Sequence, residues 1–182
     1  MLPMSPLTGL EADPWIGAVH NSIKADIDLL IGHRRWGGAV LLMYAAIDAM
    51  AYTTLPPDKK DVTGPDFIAW ADRYVKFNAH DHPTGIDLYG ARCATLHTYG
   101  NVSKISREGR GRLIGYVTDD DQPVRTHPSH PDKIMVSIPA LRDAIFAGID
   151  AYGDEVSADP ERWPMVEKRL LSFIRIIPVS PR

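Results

Sequence analysis

The segment WGGAVLLMYAAIDAMAYT, residues 36–53, decides the fold. Apolar residues occupy nearly every position, so a helix formed by this segment has almost no polar face. A helix that is apolar all round lies at the centre of a globular protein. The stretch from Gly37 to Tyr52 is too short to cross a bilayer and contains Asp48, so we expect no membrane span.

The segments on either side predict three more helices. Apolar residues recur at steps of three and four from near Pro14 to near Gly32, which indicates one amphipathic helix. Thr63 with Asp66, and Thr84 with Asp87, have the spacing of capping boxes, in which an acid three residues after the cap bonds back to the cap backbone. We therefore expect the third helix to begin at Thr63 and the fourth to run from Thr84 to about Thr98.

The pattern changes after the fourth helix. Residues 101–111 are polar and contain glycine, whereas Leu113–Thr118 and Ile134–Ile138 are rich in β-branched residues and predict two strands. A fifth helix follows with Pro139 near its start, and a sixth covers roughly 160–177. The predicted fold is mainly α, a bundle of about six helices with a small two-stranded β-hairpin after the fourth helix, packed against the bundle because a lone hairpin is marginally stable.

The composition is that of a single folded domain. The chain has 182 residues, 45% of them hydrophobic and 24% charged; residues 1–13 are expected to form a loose arm and residues 178–182 a loose tail. The single cysteine, Cys93, allows no intramolecular disulfide, which favours a reducing, intracellular compartment. The N-terminal sequence does not have a basic start followed by an apolar run, which is the pattern of a signal peptide, so we expect a cytoplasmic protein. The net charge of −3 gives no overall attraction to nucleic acid.

Two charges stand where charges are rare. Asp48 is the one acid in the apolar second helix, and Arg92 is the one cation in the middle of the fourth. Isolated buried charges are costly, so the two are expected to pair across the helices or to face a polar cleft. A structural ion pair that fixes helix register explains them as well as a functional site does. His97 follows Arg92 by five residues, about 140° around an ideal helix, so the spacing alone does not make a site.

The string Arg92-Cys-Ala-Thr-Leu-His97 resembles the Arg-x(4–6)-His motif of the HEPN superfamily. The likeness extends to the acid-containing apolar helix before it, and covers about residues 15–105. It implies a compact helical bundle that forms a homodimer, and an endoribonuclease that cuts single-stranded RNA without a metal or other cofactor. It also implies a toxin or defence component, with a protein antitoxin or regulator as a partner.

The resemblance also implies roles for individual residues. Arg92 and His97 are the implied catalytic pair, and Asp48 would orient one of them. HEPN proteins often carry a polar residue directly after the arginine, where this chain has Cys93. The alternative is a HEPN-like dimeric module that binds or regulates without catalysis.

A basic segment follows His97. Lys104, Arg107, Arg110 and Arg112, opposed only by Glu108, give a net charge of +3 over nine residues, as phosphate-binding patches do. Tyr99 and Tyr116 lie nearby and are expected to stack on bases. An ordinary solvated loop explains the same charges.

Other polar clusters give weaker signals. His80-Asp81-His82 contains metal-binding residue types, but a metal site needs three or four ligands and no clear third one is present, so no metal site is expected. His127 and His130 lie beside prolines and indicate a loop. For Cys93 we expect a small buried residue rather than a reactive thiol.

Overall fold

The computed structural model describes residues 13–118 and 122–173. The predicted N-terminal arm, except Asp13, and the predicted C-terminal tail lie outside the described residues. Helices dominate, so the mainly α fold class is confirmed. A π-helical segment, Ile16–Lys24, runs directly into the first α-helix. The α-helices are α1 (Ala25–Gly32), α2 (Trp36–Thr53), α3 (Gly64–Tyr74), α4 (Gly85–Thr98), α5 (Lys104–Arg107), α6 (Ile138–Ser157) and α7 (Trp163–Leu170).

The central position predicted for α2 is confirmed. This helix contacts α1, α3, α4, α6 and α7, and half of its residues are buried, among them Met43, Tyr44, Ile47 and Met50. Within the described residues, no helix is long and apolar enough to span a membrane.

The predicted capping pattern is present at both helix starts. The Asp66 carboxylate accepts a hydrogen bond from the backbone N–H of Thr63 at 2.7 Å, and the Asp87 carboxylate accepts one from Thr84 at 2.9 Å. Each bond satisfies a donor that the first turn of a helix leaves without an intrahelical partner.

The predicted two-stranded hairpin is wrong. The sheet has three strands, β1 (Leu113–Val117), β2 (Val124–His127) and β3 (His130–Ser137), in the order β1-β3-β2. The hairpin is formed by β2 and β3, which are antiparallel, whereas β1 is parallel to β3, with Ile114 opposite Ile134. Prolines on both sides of β2 made it look like a loop, but proline is tolerated at the ends of an edge strand.

Two helical details also differ from the prediction. The short helix α5 lies in the segment expected to be irregular, and its start is capped by Ser103, whose hydroxyl accepts a hydrogen bond from Ser106 N–H at 3.2 Å. Helix α7 is Trp163–Leu170, shorter than the predicted 160–177. The turn before it is capped by Asp159, whose carboxylate accepts hydrogen bonds from the backbone N–H groups of Glu161 and Arg162. The sheet packs on α4 through β1 and on α6 through β3.

Candidate functional site

Arg92 and His97 lie on the outward side of α4. Tyr89, Arg92, Cys93 and Leu96 are half-buried and His97 is exposed. These positions recur at steps of three and four and form one stripe along the helix, with Cys93 and Leu96 between the arginine and the histidine. The opposite side is buried and carries Leu88, Gly90, Ala91, Ala94 and Thr95.

Asp48 and Arg92 form the ion pair that the sequence suggested. Arg92 Nε donates to Asp48 Oδ2 at 2.8 Å and joins α4 to α2. The side chains are 24% and 23% exposed, so neither charge is sealed in the core. Although burial lowers the pKa of Arg92, its hydrogen bond to Asp48 raises that pKa overall, which keeps the guanidinium charged. Burial raises the pKa of Asp48 more than Arg92 lowers it.

Cys93 takes part in the same cluster. Its thiol interacts with Arg92 and with Tyr89, and it is half-buried rather than fully buried as the sequence suggested. Burial, and then the neighbouring thiol, raise the pKa of Tyr89. Asp48 and, on the outward face of α4, Tyr89, Arg92 and Cys93 therefore form one polar cluster, and His97 lies outside it.

His97 lies on the other flank of that face. A side chain built at Gly90 would contact Ser103 and Ile105, so α5 and its cap pack on this side of α4. His97 and Gly90 are seven residues apart, which places them within about 20° of each other around the helix. The stripe is therefore bordered by α2 next to Arg92. On the flank that carries His97 it is bordered by the α5 segment, which packs about two turns nearer the start of α4, at Gly90. Among the described residues, no hydrogen bond or ion pair engages the His97 side chain.

The predicted basic residues divide into two groups. Lys104 and Arg110 are exposed and share Glu108, at 3.6 Å and 2.9 Å, while Arg107 is exposed and has no ion pair within the described residues. Arg107 and Arg110 line an open groove of about 590 Å³ beside α5 and β1. These cations are accessible to a phosphate backbone.

Arg112 is engaged by the protein itself. Its guanidinium donates to Asp87 at 2.9 Å, to Asp81 and to the backbone carbonyl of His82. Although burial lowers it, the bonds to Asp81 and Asp87 raise the pKa of Arg112. Arg112 contacts Asp87 in the first turn of α4, and this arrangement favours a structural role over the predicted contact with RNA.

Tyr99 lies in a separate pocket of about 290 Å³ between the start of α2 and the end of α4. It is the C-cap of α4 and adopts the left-handed conformation, with φ of 52°. A non-glycine residue there costs roughly 1–2 kcal/mol. Its side chain is 69% exposed. The sequence analysis did not assign Trp36, Asn101 or Thr95, which line the same pocket, to a binding site. The Trp-Gly-Gly sequence at the start of α2 was the available signal for this pocket.

The His80-Asp81-His82 cluster is built into loop contacts. Asp81 accepts hydrogen bonds from Arg112 and Thr126, and His82 Nδ1 lies 3.0 Å from the carbonyl oxygen of Ala79. In the part of the chain that the structure describes, no three His, Cys, Asp or Glu residues are grouped so that they could hold a metal ion.

No protein-family model, no curated protein and no solved structure matches this chain. The resemblance to the HEPN superfamily therefore rests on the Arg92–His97 string and on its place in the helical bundle. Its functional consequences are proposals.

Proposed function

We propose that this protein is a HEPN-like, metal-independent endoribonuclease that cuts single-stranded RNA. The observation that carries the proposal is the outward face of α4, where Arg92 and His97 flank one stripe and Asp48 holds Arg92 through Nε at 2.8 Å. In the described residues, no carboxylate accepts a hydrogen bond from either Nη atom of Arg92, so these donors are available to a phosphate.

The chemistry follows from the two side chains. Neutral His97 takes the proton of the ribose 2′-hydroxyl, whose oxygen attacks the adjacent phosphorus, and the bond from phosphorus to the 5′-oxygen breaks. A protonated imidazole gives a proton to that leaving oxygen. Arg92 binds the phosphate and stabilises the charge that grows on it. The products are a 2′,3′-cyclic phosphate and a 5′-hydroxyl, and no metal is required.

A homodimer supplies both proton-transfer roles. One His97 acts as base while the His97 of a second copy, present as imidazolium, acts as acid across a shared cleft. Arg107 and Arg110 support this function because they place accessible cations beside α4 on a protein with a net charge of −3. A toxin or defence role, restrained by a protein antitoxin or regulator, is the biological setting that we propose.

The test is cleavage of a fluorescent single-stranded oligoribonucleotide in EDTA. We expect the wild type to cut it and to leave cyclic phosphate ends. His97→Ala should lose about 10²- to 10⁴-fold in rate, the usual contribution of a general acid–base group. Arg92→Ala should lose about 10²- to 10³-fold, as removal of one donor to the transition-state charge does. His20→Ala, which removes an exposed imidazole from a different helix, is the matched control. Equal cleavage by all four proteins would reject the proposal.

The second candidate is the same bundle as a non-catalytic dimeric binding or regulatory module. The Asp48–Arg92 ion pair favours it, because a bond between α2 and α4 is useful to the fold without any substrate. This candidate predicts intact RNA after incubation with pure wild-type protein, a dimer in sedimentation, and a lower melting temperature for Arg92→Ala. RNA cleavage that is lost in His97→Gln would eliminate it.

A further inference from the structure

The pocket beside Tyr99 has the surface chemistry of a site for a planar ring. Three aromatic side chains line it, those of Trp36, Tyr99 and Tyr116, together with the Asn101 amide and the Thr95 hydroxyl. At about 290 Å³ it is at the small end of ligand pockets, which run from roughly 300 to 1,000 Å³. It therefore suits a ligand with one ring system and a few polar atoms.

The polar groups at the bottom of the pocket are held in place. The hydroxyls of Tyr44 and Tyr116 are 2.7 Å apart and share a hydrogen bond, and Thr95 lines the same pocket as Tyr116. Burial is the main reason that the pKa of Tyr116 rises to about 12, so its phenol stays neutral. A neutral, fixed phenol can exchange hydrogen bonds with the edge of a heterocycle.

Tyr99 is placed as a stacking platform despite a local conformational cost. The C-cap position of a helix in the left-handed conformation is usually glycine, because glycine has no Cβ to clash. Here a tyrosine occupies it, and its hydroxyl lies against Gly37, where a side chain would collide with it. A strained residue that is also 69% exposed gains little from burial, so the strain points to a role in binding.

Two cations lie close in sequence to the pocket, although neither is among the residues that line it. Arg34 and Arg35 immediately precede Trp36, are exposed, and make no ion pair with any described residue. The first turn of α2 adds backbone N–H groups, and no side chain caps it. An aromatic pocket whose Trp36 directly follows two arginines without an ion pair favours a base that carries a phosphate over an uncharged ring.

We propose that this pocket binds one nucleotide, with the base between Trp36 and Tyr99 and the phosphate towards Arg35. The inference rests on the proposed function in one respect: if the protein cuts RNA, the pocket holds a nucleotide outside the cleaved bond, because Thr95, which lines the pocket, lies on the side of α4 opposite the Arg92–His97 stripe. The same chemistry is offered by a free nucleoside monophosphate, and the experiment separates the two sources.

Binding is measured on the full chain by calorimetry and fluorescence anisotropy. The probes are adenosine 5′-monophosphate, ribose 5-phosphate and a fluorescent ten-nucleotide oligoadenylate. The variants are Tyr99→Gly, which removes the ring and suits the left-handed backbone, and Val102→Ala, which shortens an exposed apolar side chain outside the pocket. His97→Ala is used for the RNA arm so that the probe stays intact.

We expect the nucleotide probes to bind and ribose 5-phosphate to fail at the same concentration. Tyr99→Gly should weaken binding about tenfold or more, as loss of one stacking platform does, without lowering the melting temperature. Val102→Ala should leave the binding affinity unchanged. Binding of the oligonucleotide alone identifies a subsite for RNA, and binding of the monophosphate alone identifies a free nucleotide as ligand. Unchanged affinity in Tyr99→Gly, equal binding of ribose 5-phosphate, or no binding of either nucleotide probe would overturn the inference.

These outcomes are independent of the cleavage assay. If the wild type binds nucleotide but cuts no RNA, the ribonuclease proposal fails and the pocket stands. If it cuts RNA, and Tyr99→Gly cuts and binds equally well, the pocket fails and the ribonuclease stands.

Discussion

Replacing Arg112 by alanine should destabilise the protein much more than replacing any other cation of the basic segment. Arg112 is the residue through which this segment returns to α4, because its guanidinium binds Asp87 in the first turn of the helix at 2.9 Å. The same guanidinium donates to Asp81 and to the carbonyl of His82. Arg107, five residues earlier, is exposed and has no ion pair within the described residues.

The magnitude depends on what Arg112→Ala leaves behind. The Asp87 side chain is 3% exposed, and breaking a buried ion pair by removing one partner costs roughly 3–5 kcal/mol. Asp87 keeps two backbone donors, from Thr84 at 2.9 Å and from Arg112 at 2.6 Å. We therefore expect the low end of that range, about 3 kcal/mol. For a chain of this size, that corresponds to a melting temperature lower by about 6–12 °C.

The assay is thermal unfolding followed by circular dichroism, together with urea unfolding at 25 °C. Arg107→Ala is the matched control and should change the unfolding free energy by less than about 0.5 kcal/mol, as exposed substitutions usually do. Adding Asp87→Asn to Arg112→Ala should recover part of the loss, since it removes the unpaired charge and keeps an acceptor for the cap. A shift for Arg112→Ala no larger than that for Arg107→Ala would refute the structural role of Arg112.

Two further predictions concern local structure. Although burial raises it, hydrogen bonds to Lys59 and Thr63 lower the pKa of Asp66 from 3.8 to about 2. The contribution of the Asp66 carboxylate to stability is therefore present above pH 4 and lost as the pH falls towards 2. The stability difference between wild type and Asp66→Asn, about 1 kcal/mol near neutrality, should shrink between pH 5 and pH 2.5 in urea titrations. A difference that does not change with pH would contradict this. Gly148→Ala should lower the unfolding free energy by about 1–3 kcal/mol, because its Cβ would lie 2.7 Å from the Tyr74 carbonyl oxygen. In the control, Gly32→Ala, the new Cβ meets nothing within 4 Å, so the unfolding free energy should not fall.

The helical part of the fold could be predicted because its signals are local. The apolar run fixed α2 as the central helix with both ends at the observed residues, Trp36 and Thr53. The acids that cap α3 and α4 lie three residues from the positions they cap, within reach of sequence inspection. Propensity, apolar period and capping agree in these segments, and such agreement makes a local structure predictable.

The sheet could not be predicted because its pairing is not local. The β-branched runs identified β1 and β3, but nothing in them shows that the chain passes to the far side of β3 before returning between the other two strands. Strand β2, with Val124 and Thr126 between prolines, is held by backbone bonds to β3 rather than by its own composition.

The candidate site was predictable where charge was scarce and unpredictable where it was abundant. A single acid in α2 and a single cation in α4 suggested the Asp48–Arg92 pair, which the structure contains. Four cations in one short segment gave no means of separating Arg112 from the rest, because its partners lie 25 and 31 residues away. The left-handed backbone of Tyr99 is likewise invisible in the sequence, because non-glycine residues rarely adopt it.

The left-handed turn at the end of α4 has a consequence for the charges that follow it. Since the backbone turns at Tyr99, the next residues fold back along the helix: Ile105 packs against Gly90, and Arg112 reaches Asp87 in the first turn. The basic segment is therefore attached to α4 at both ends. A free loop would spread its cations through solvent, whereas this attachment keeps Arg107 and its neighbours beside the helix that carries Arg92 and His97. Under the proposed function, on a protein whose net charge is −3, this fixed local cluster would favour the approach of a negatively charged strand to this one helix over the remaining surface.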